Sequence, residues 1–445
     1  MLHPPSLTLI GVGMARVAAQ KADLDELRAG HERAQQTASN AKRAAERSLS
    51  PLSARRKRPD EQRDGIARAI RAYRELDKGE VPNIRVRTAF IRRPDARTTR
   101  DTDWNRGVDI DTRPPMSRLI AGAGSRALPT YLTMVYLAHL RKDAAGRAFD
   151  NDIPNLRKPG KPKPWVELAG MYRAPRPGMT QSANRRRLRV SLNTALDTLA
   201  DHQLVTLTGP EGSAGRYEGF TVLSDSDTED QYVVPGEGRR NNYAIRVPAT
   251  FFFNGWHLVL TPSEIAVLLA IIDRTGLLGK KPRSGAIREV GVDLKESERW
   301  GTYGLSGEAY ASVHMLKAFG IIDVIDPMAN RARPMPYLTG SRSSDGTVQW
   351  KFEDGQHIPF RLLYPPTSDM SMADTLFDEI AFDAVMDCLD DAIAKQEQKL
   401  SAAVASLKSF ALEAGTDENR PDGAPQAAAK SSTANPRTDE REQAD

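Results

Sequence analysis

The sequence is short of cysteine and of long apolar runs. Cys388 is the only cysteine among 445 residues. One cysteine forms neither a disulfide nor a thiolate zinc finger within a chain, so a reducing, cytoplasmic location is expected. No apolar run reaches about eighteen residues, which argues against a membrane span. The short apolar stretch at residues 7–14 has no Lys or Arg before it, unlike a secretory signal, and Met14 is an alternative start of translation.

Several motifs of enzymes are also missing. Gly279 and Lys280 stand at the wrong distance from Gly276 for a phosphate loop, and no Ser or Thr follows the lysine. Gly122 and Gly124 lack the third glycine of a dinucleotide site. The histidines are scattered, without the spaced pair that a metal needs or the His-apolar-His cluster of a nicking enzyme. The sequence therefore predicts no catalytic residue, no cofactor and no metal.

Charge is unevenly distributed along the chain. Residues 1–120 hold 25 Lys and Arg against 16 Asp and Glu, and residues 121–365 hold 31 against 25. Residues 366–445 reverse this balance, with 7 against 17. A basic front and middle favour a polyanionic partner, whereas an acidic tail is typical of a segment that shields a basic surface or is simply solvated.

Residues 303–324 have the pattern of a turn, a capped helix, a glycine stop and a strand. Ser306 is placed to cap the helix, Gly304 allows a sharp turn before it, and Gly320 suits the left-handed conformation that ends a helix. This predicts one helix of about three turns. Its inward stripe consists of Ala309, Val313 and Leu316.

A second copy of this pattern lies 117 residues earlier. Seven positions match, and Gln203 replaces the terminating glycine of the later copy. The matching positions are Leu192, Leu196, Leu199, Gln203, Leu204, Val205 and Leu207. Two ordinary amphipathic helices, each followed by a strand, are the alternative interpretation, because periodicity does not separate the two.

Each copy has further elements around it. An apolar helix begins near Pro129 in the first copy, and in the second Thr261 and Glu264 form a capping box. Short second helices are expected at residues 165–169 and 297–300. The glycine-rich turn after Leu207 predicts a hairpin. In the second copy a long loop should lead to a return strand, which contains Val348, Trp350 and Phe352.

This order of elements resembles the winged helix-turn-helix superfamily of DNA-binding proteins. The resemblance covers the two copies with their upstream helices and implies an α+β fold with two tandem winged-helix domains, at residues 121–224 and 240–365, joined by a linker at 225–239. Tandem winged helices resemble plasmid replication initiators, which grip a repeated origin, and also occur in transcription regulators. A protein-interaction module of a structural or segregation complex is a further alternative.

The resemblance implies double-stranded DNA as the partner, with the N-terminal part of each third helix in the major groove. The DNA-binding residues in the first domain are then Arg185, Arg186, Arg187, Arg189, Asn193 and Arg216. Those in the second domain are Ser306, Glu308, Ser312, Lys317, Arg331 and Arg333. Because the first helix is far more basic, the domains should contribute unequally. A solvated basic face is the alternative for the four arginines.

The region before the first copy, residues 1–120, is predicted to be basic and helical to disordered. A solvated helix is expected over residues 15–50, a basic and flexible linker over 51–60, and an amphipathic helix over 61–76. Residues 80–127 alternate Arg with Asp, Thr and Pro, which favours irregular chain.

Three segments complete the prediction. The polar residues 224–230 mark the best domain boundary, and the three phenylalanines at 251–253 indicate core packing rather than a stacking platform for single strands. Residues 366–414 form an acidic amphipathic helix, which should dock on the body or pair with a second copy as a homodimer, without contacting DNA. The composition of residues 415–445 predicts a disordered tail.

Overall fold

The computed structural model describes residues 8–93, 113–120, 126–141, 146–213, 215–225, 230–236, 244–278, 291–325, 340–342, 348–350, 361–365 and 375–417. These residues are mostly helical. The helices are α1 (Thr8–Asp60), α2 (Arg63–Leu76), α3 (Thr88–Ile91), α4 (Pro115–Arg118), α5 (Ala127–His139), α6 (Trp165–Leu168), α7 (Gln181–Asp201), α8 (Ala249–Phe253), α9 (Trp256–Val259), α10 (Pro262–Leu278), α11 (Glu296–Gly301), α12 (Gly307–Tyr310), α13 (Val313–Ala318) and α14 (Ala381–Asp417).

The strands of the described residues form four small antiparallel sheets, each with two strands. The strands are β1 (Asn83–Arg87), β2 (Val205–Thr206), β3 (Thr221–Val222), β4 (Ala244–Pro248), β5 (Asp323–Ile325), β6 (Gly340–Arg342), β7 (Val348–Trp350) and β8 (Arg361–Leu363). The pairs are β1 with β4, β2 with β3, β5 with β8, and β6 with β7. The fold is therefore α+β, as predicted.

Two compact units make up the chain. The smaller consists of Met1–Pro51 and Ile393–Asp445. Within it, the rings of His31 on α1 and Phe410 on α14 meet edge to face with their centroids 5.0 Å apart. Among the side chains of this unit that the structure describes, the buried apolar ones are small, namely Ala38, Ala45 and Ala403. Helices with so narrow an apolar stripe leave most of their surface in water.

The larger unit, Leu52–Ala392, contains both predicted copies and the predicted linker between them. Its core is one hydrophobic cluster around α5 and α10. Every residue of α5 is buried, which matches its apolar sequence on all sides. Phe251 and Phe252 lie in the same core, so the prediction of core packing for these rings is confirmed. Asp225, which belongs to the polar segment predicted as a domain boundary, is fully buried and accepts a hydrogen bond from the backbone of Arg87 at 3.0 Å.

The prediction of irregular chain over residues 80–127 is wrong for the described part of that range. Strand β1 pairs along its full length with β4, so that Ile84 lies opposite Val247. Phe90 on α3 and Met116 on α4 are completely buried. Residues 94–112 and 121–125 lie outside the described residues. The strand is stabilised by a partner far away in sequence, which local composition does not reveal.

The prediction of a flexible linker at residues 51–60 is also wrong, because α1 continues to Asp60. The Nε and Nη2 atoms of Arg55 donate to the two carboxylate oxygens of Glu264, at 2.9 and 2.8 Å. Glu264 also accepts from the backbone N–H of Thr261 at 2.7 Å, and its own N–H donates to the Thr261 hydroxyl at 3.2 Å. The predicted capping box is thus confirmed, and its carboxylate fixes the end of α1 as well.

The two copies end their helices in the same way. Gln203 has φ +56° and Gly320 has φ +70°, both in the left-handed region. The N–H of Leu204 donates to the Leu199 carbonyl at 2.8 Å, and 117 residues later Ile321 donates to Leu316 at 3.0 Å. The apolar stripes of both copies are buried. The internal repeat predicted from spacing therefore has a physical counterpart, and Gln203 takes the conformation that glycine takes in the later copy.

The later copy departs from the prediction in two places. The expected three-turn helix is split into α12 and α13, because Ser312 donates its N–H to Ala309, three residues back rather than four. The strand that returns against β5 is β8, not the predicted segment 348–352. Residues 348–350 do form a strand, which pairs with β6 instead. The predicted short helices at 165–169 and 297–300 are present as α6 and α11.

The first part of α14 docks on the larger unit. The side-chain amide of Asn254 donates to the carbonyls of Phe377 and Asp378 at 2.7 and 3.0 Å, and the indole N–H of Trp256 donates to Glu379 at 3.1 Å. The buried residues of this part are Ala381, Phe382, Val385, Met386 and Leu389. Docking is thus one role of the helix, and pairing between two copies stays a prediction. The tail from residue 418 lies outside the described residues.

Candidate nucleic-acid interface

Helix α7 presents one apolar and one basic face. It begins after Thr180, whose hydroxyl accepts a hydrogen bond from the N–H of Ala183 at 3.2 Å. The buried face consists of Asn184, Leu188, Leu192, Ala195, Leu196 and Leu199. These side chains fix the helix to the core, so the residues between them must point outward.

Three of the predicted arginines lie on that outward face. Arg185, Arg186 and Arg189 are exposed, and none of their side chains has an ion pair or hydrogen bond with another residue of the described ranges. They fall within the first three turns of the helix rather than before it. Three uncompensated cations on one rigid helix face attract an anion strongly.

Arg187 has a different role from its neighbours. Its Nη2 donates to the backbone carbonyls of Ala174 and Arg173 at 3.0 and 3.4 Å. Burial and the nearby Arg173 and Arg176 lower the pKa of Arg187. It therefore holds the loop that leads into α7. Arg176 in this loop is exposed and was missed by the sequence analysis, although two prolines beside it signal an extended, accessible segment.

The hairpin of β2 and β3 is fastened to α7 through its tyrosine. The Tyr217 hydroxyl lies 3.0 and 2.9 Å from the two carboxylate oxygens of Asp197. Burial and this carboxylate raise the pKa of Tyr217. Arg216, predicted to contact DNA, has its guanidinium 3.7 Å from Asp197, and it donates to the Gly209 carbonyl at 3.3 Å. These contacts hold the hairpin in place, so Arg216 has a structural role.

A basic loop before α6 adjoins the same hairpin. The side-chain amide of Asn155 donates to the Tyr217 carbonyl at 2.7 Å, and Lys158 pairs with Glu218 at 3.2 Å. Arg157 and Lys161 in this loop are exposed, and their side chains have no partner among the described residues. The sequence analysis missed them. The alternation of Lys with Pro over residues 157–164 was the available signal for an exposed cationic loop.

Asn193 lies further along α7 and is half-buried. Its Oδ1 is shielded from solvent and has no hydrogen-bond partner among the described groups. Exposed Thr194 follows it, and the Thr194 hydroxyl donates back to the Val190 carbonyl at 2.9 Å. This part of the helix is therefore polar but uncharged up to Asp197.

The equivalent surface of the later copy carries little free positive charge. Ser306 uses its hydroxyl as a helix cap, accepting from the N–H of Ala309 at 3.1 Å. Lys317 pairs with Asp323 at 3.2 Å and donates to the Val324 carbonyl at 3.1 Å.

The other predicted residues of that copy that the structure describes add no cation. Glu308 is exposed and Ser312 is half-buried. Arg331 and Arg333 lie outside the described residues. The described surfaces of the two copies are therefore unlike, and the basic one belongs to the earlier copy.

The described residues also bear on other kinds of site. Among them, no group of three or more His, Cys, Asp or Glu side chains is placed to hold a metal ion. None of the described helices is both long and apolar enough to cross a membrane. Comparisons of the chain with protein-family models, curated proteins and solved structures found no match.

Proposed function

We propose that the protein binds double-stranded DNA through the outward face of α7, flanked by the β2–β3 hairpin, and that binding rather than catalysis is its activity. The observation that carries this proposal is the set of three exposed, unpaired arginines on a helix whose other face is locked into the core. A helix is the element that enters the major groove, where arginine bonds to guanine or to the phosphates beside it.

The surroundings of α7 support a winged-helix interpretation of the first copy. Helices α5, α6 and α7 come in order and are followed by a hairpin, which Tyr217 and Asp197 hold beside the third helix. Arg157 and Lys161 lie on the loop next to this hairpin, where a wing would follow the DNA backbone. Together with exposed Arg176 and the three arginines of α7, they make six cationic side chains that could each contact a DNA phosphate.

Two copies in one chain favour a replication initiator, and a transcription regulator is the alternative within DNA binding. The surface of the later copy suits a lesser role in DNA contact, because its lysine is neutralised by Asp323 and Glu308 repels phosphate. A protein-interaction module is the rival from another class, and the observation that favours it is the low free positive charge on the described surface of the later copy.

Salt dependence separates DNA binding from the protein-interaction module. Six neutralised phosphates would weaken duplex binding about a thousandfold between about 50 and 200 mM salt, because each contributes about 0.9 to the slope of log affinity against log salt. Titration of the full chain with a labelled duplex at several salt concentrations measures this slope. Binding to duplex DNA that changes little with salt, or no binding at low salt, would contradict the proposal.

A further inference from the structure

One apolar side chain stands out on the basic face of α7. Within the described part of the chain, the large apolar residues that are exposed are Leu76, at 40%, and Val190, at 56%. Leu76 is the last residue of α2, where a helix end is naturally open. Val190 lies in the middle of a helix of 21 residues. A β-branched residue is among the weaker helix formers, so neither burial nor helix propensity explains it there.

The neighbours of Val190 show what kind of surface it belongs to. Arg186 lies one turn before it, Arg189 precedes it directly, and Asn193 lies about one turn after it, so these side chains share the outward face. Protein interfaces are built on contiguous apolar patches with few charges at the centre. A lone valine among arginines does not form such a patch, so a protein partner fits this face poorly.

The major groove offers a matching group. Its floor is polar except for the C5-methyl group of thymine, which small apolar side chains contact. We propose that Val190 packs against a thymine methyl group, and so makes a thymine part of the sequence that the protein prefers. This inference rests on the proposed function. Arg186 and Arg189 would bring the helix to the groove, while Val190 would distinguish thymine from the other bases, which charge alone does not do.

Replacing thymine by uracil in the DNA tests the contact, because uracil differs from thymine only in lacking the C5-methyl group. Preferred duplexes are first selected from a randomised pool with the full-length protein, and each thymine of the best duplex is then replaced in turn. At the contacted position, wild-type affinity should fall about fourfold, the weight of one buried methyl group. Val190→Ala, which loses both γ-methyl groups, should bind the thymine and uracil duplexes alike, whereas Val190→Thr, which keeps one γ-methyl group, should retain part of the preference.

Leu76→Ala is the matched control, since it removes the other large apolar side chain that is exposed in the described ranges, and it should keep the wild-type preference. A melting temperature of Val190→Ala that is unchanged or slightly raised shows that the fold is intact, because alanine is the better helix former. The inference is overturned if no thymine replacement weakens wild-type binding, if Val190→Ala keeps the full preference, or if Val190→Ala changes the mass of the assembly instead. Salt-dependent duplex binding in those cases leaves the proposed function standing. A wild-type chain that binds no duplex overturns both.

Discussion

Replacing Arg186 and Arg189 together by glutamine should reduce the salt dependence of duplex binding. Both side chains are exposed on α7 and have no partner among the described residues, so the change removes charge without breaking a contact of the fold. If each neutralises one phosphate, the slope of log affinity against log salt falls by about 1.8. Between about 50 and 200 mM salt, the affinity of the variant should therefore fall about twelvefold less than that of the wild type.

Fluorescence anisotropy with the full-length protein and a labelled duplex measures these slopes. Replacing Lys395 and Lys399 by glutamine is the matched control, because both lysines are exposed on α14 and the same charge is removed. Arg187→Gln should behave differently from both, since it releases the loop at Ala174. It should lower the free energy of unfolding and change the slope of log affinity against log salt only slightly. The reasoning is refuted if the double variant keeps the wild-type slope, or if the α14 control lowers the slope equally.

Three further predictions concern the fold that supports this face. Glu264→Gln should lower the free energy of unfolding by about 3–5 kcal/mol in urea titrations, because it leaves the buried guanidinium of Arg55 without its carboxylate. Gly320→Ala should cost about 1 kcal/mol, since φ is +70°, whereas Gln203→Gly at the matching position should be neutral or stabilising; equal losses in both would contradict the repeat. Burial lowers the pKa of His139 to about 4. As the pH falls from 6.5 to about 4, the imidazole of His139 therefore binds a proton only in the unfolded chain. Stability should fall across that window by about 3 kcal/mol for this group and less in His139→Gln.

Local signals in the sequence predicted local structure well. The capping box of Thr261 and Glu264 and the helix stop at Gly320 depend on residues within one turn of each other, and both are present. The spacing of the two copies aligned Gln203 with Gly320 without predicting its conformation, and the structure shows the same left-handed backbone at both positions. These features follow from hydrogen bonds and φ angles that the nearest residues determine.

Contacts between distant residues could not be predicted in the same way. Ile84 and Val86 alternate with polar residues, which is the signal of a strand, but a strand of five residues needs its partner, and that partner is β4. The pairing of Arg55 with Glu264 joins residues 209 apart in sequence. In the candidate interface, Arg187 looks like its neighbours in sequence. Only the position of the Ala174 carbonyl separates the arginine that supports the loop from those that face solvent.

Site-specific crosslinking tests most directly whether α7 faces the DNA. In a Cys388→Ser background, which removes the chain's one cysteine, Thr194→Cys on α7 and Ser406→Cys on α14 each accept a photoreactive benzophenone. The sites are matched, because both are exposed helical hydroxyls that donate to the carbonyl four residues earlier. With bound duplex DNA, a probe at position 194 should crosslink to the DNA and a probe at 406 should not. Crosslinks from 406 alone, or equal crosslinks from both sites, would contradict the placement of α7 against the DNA.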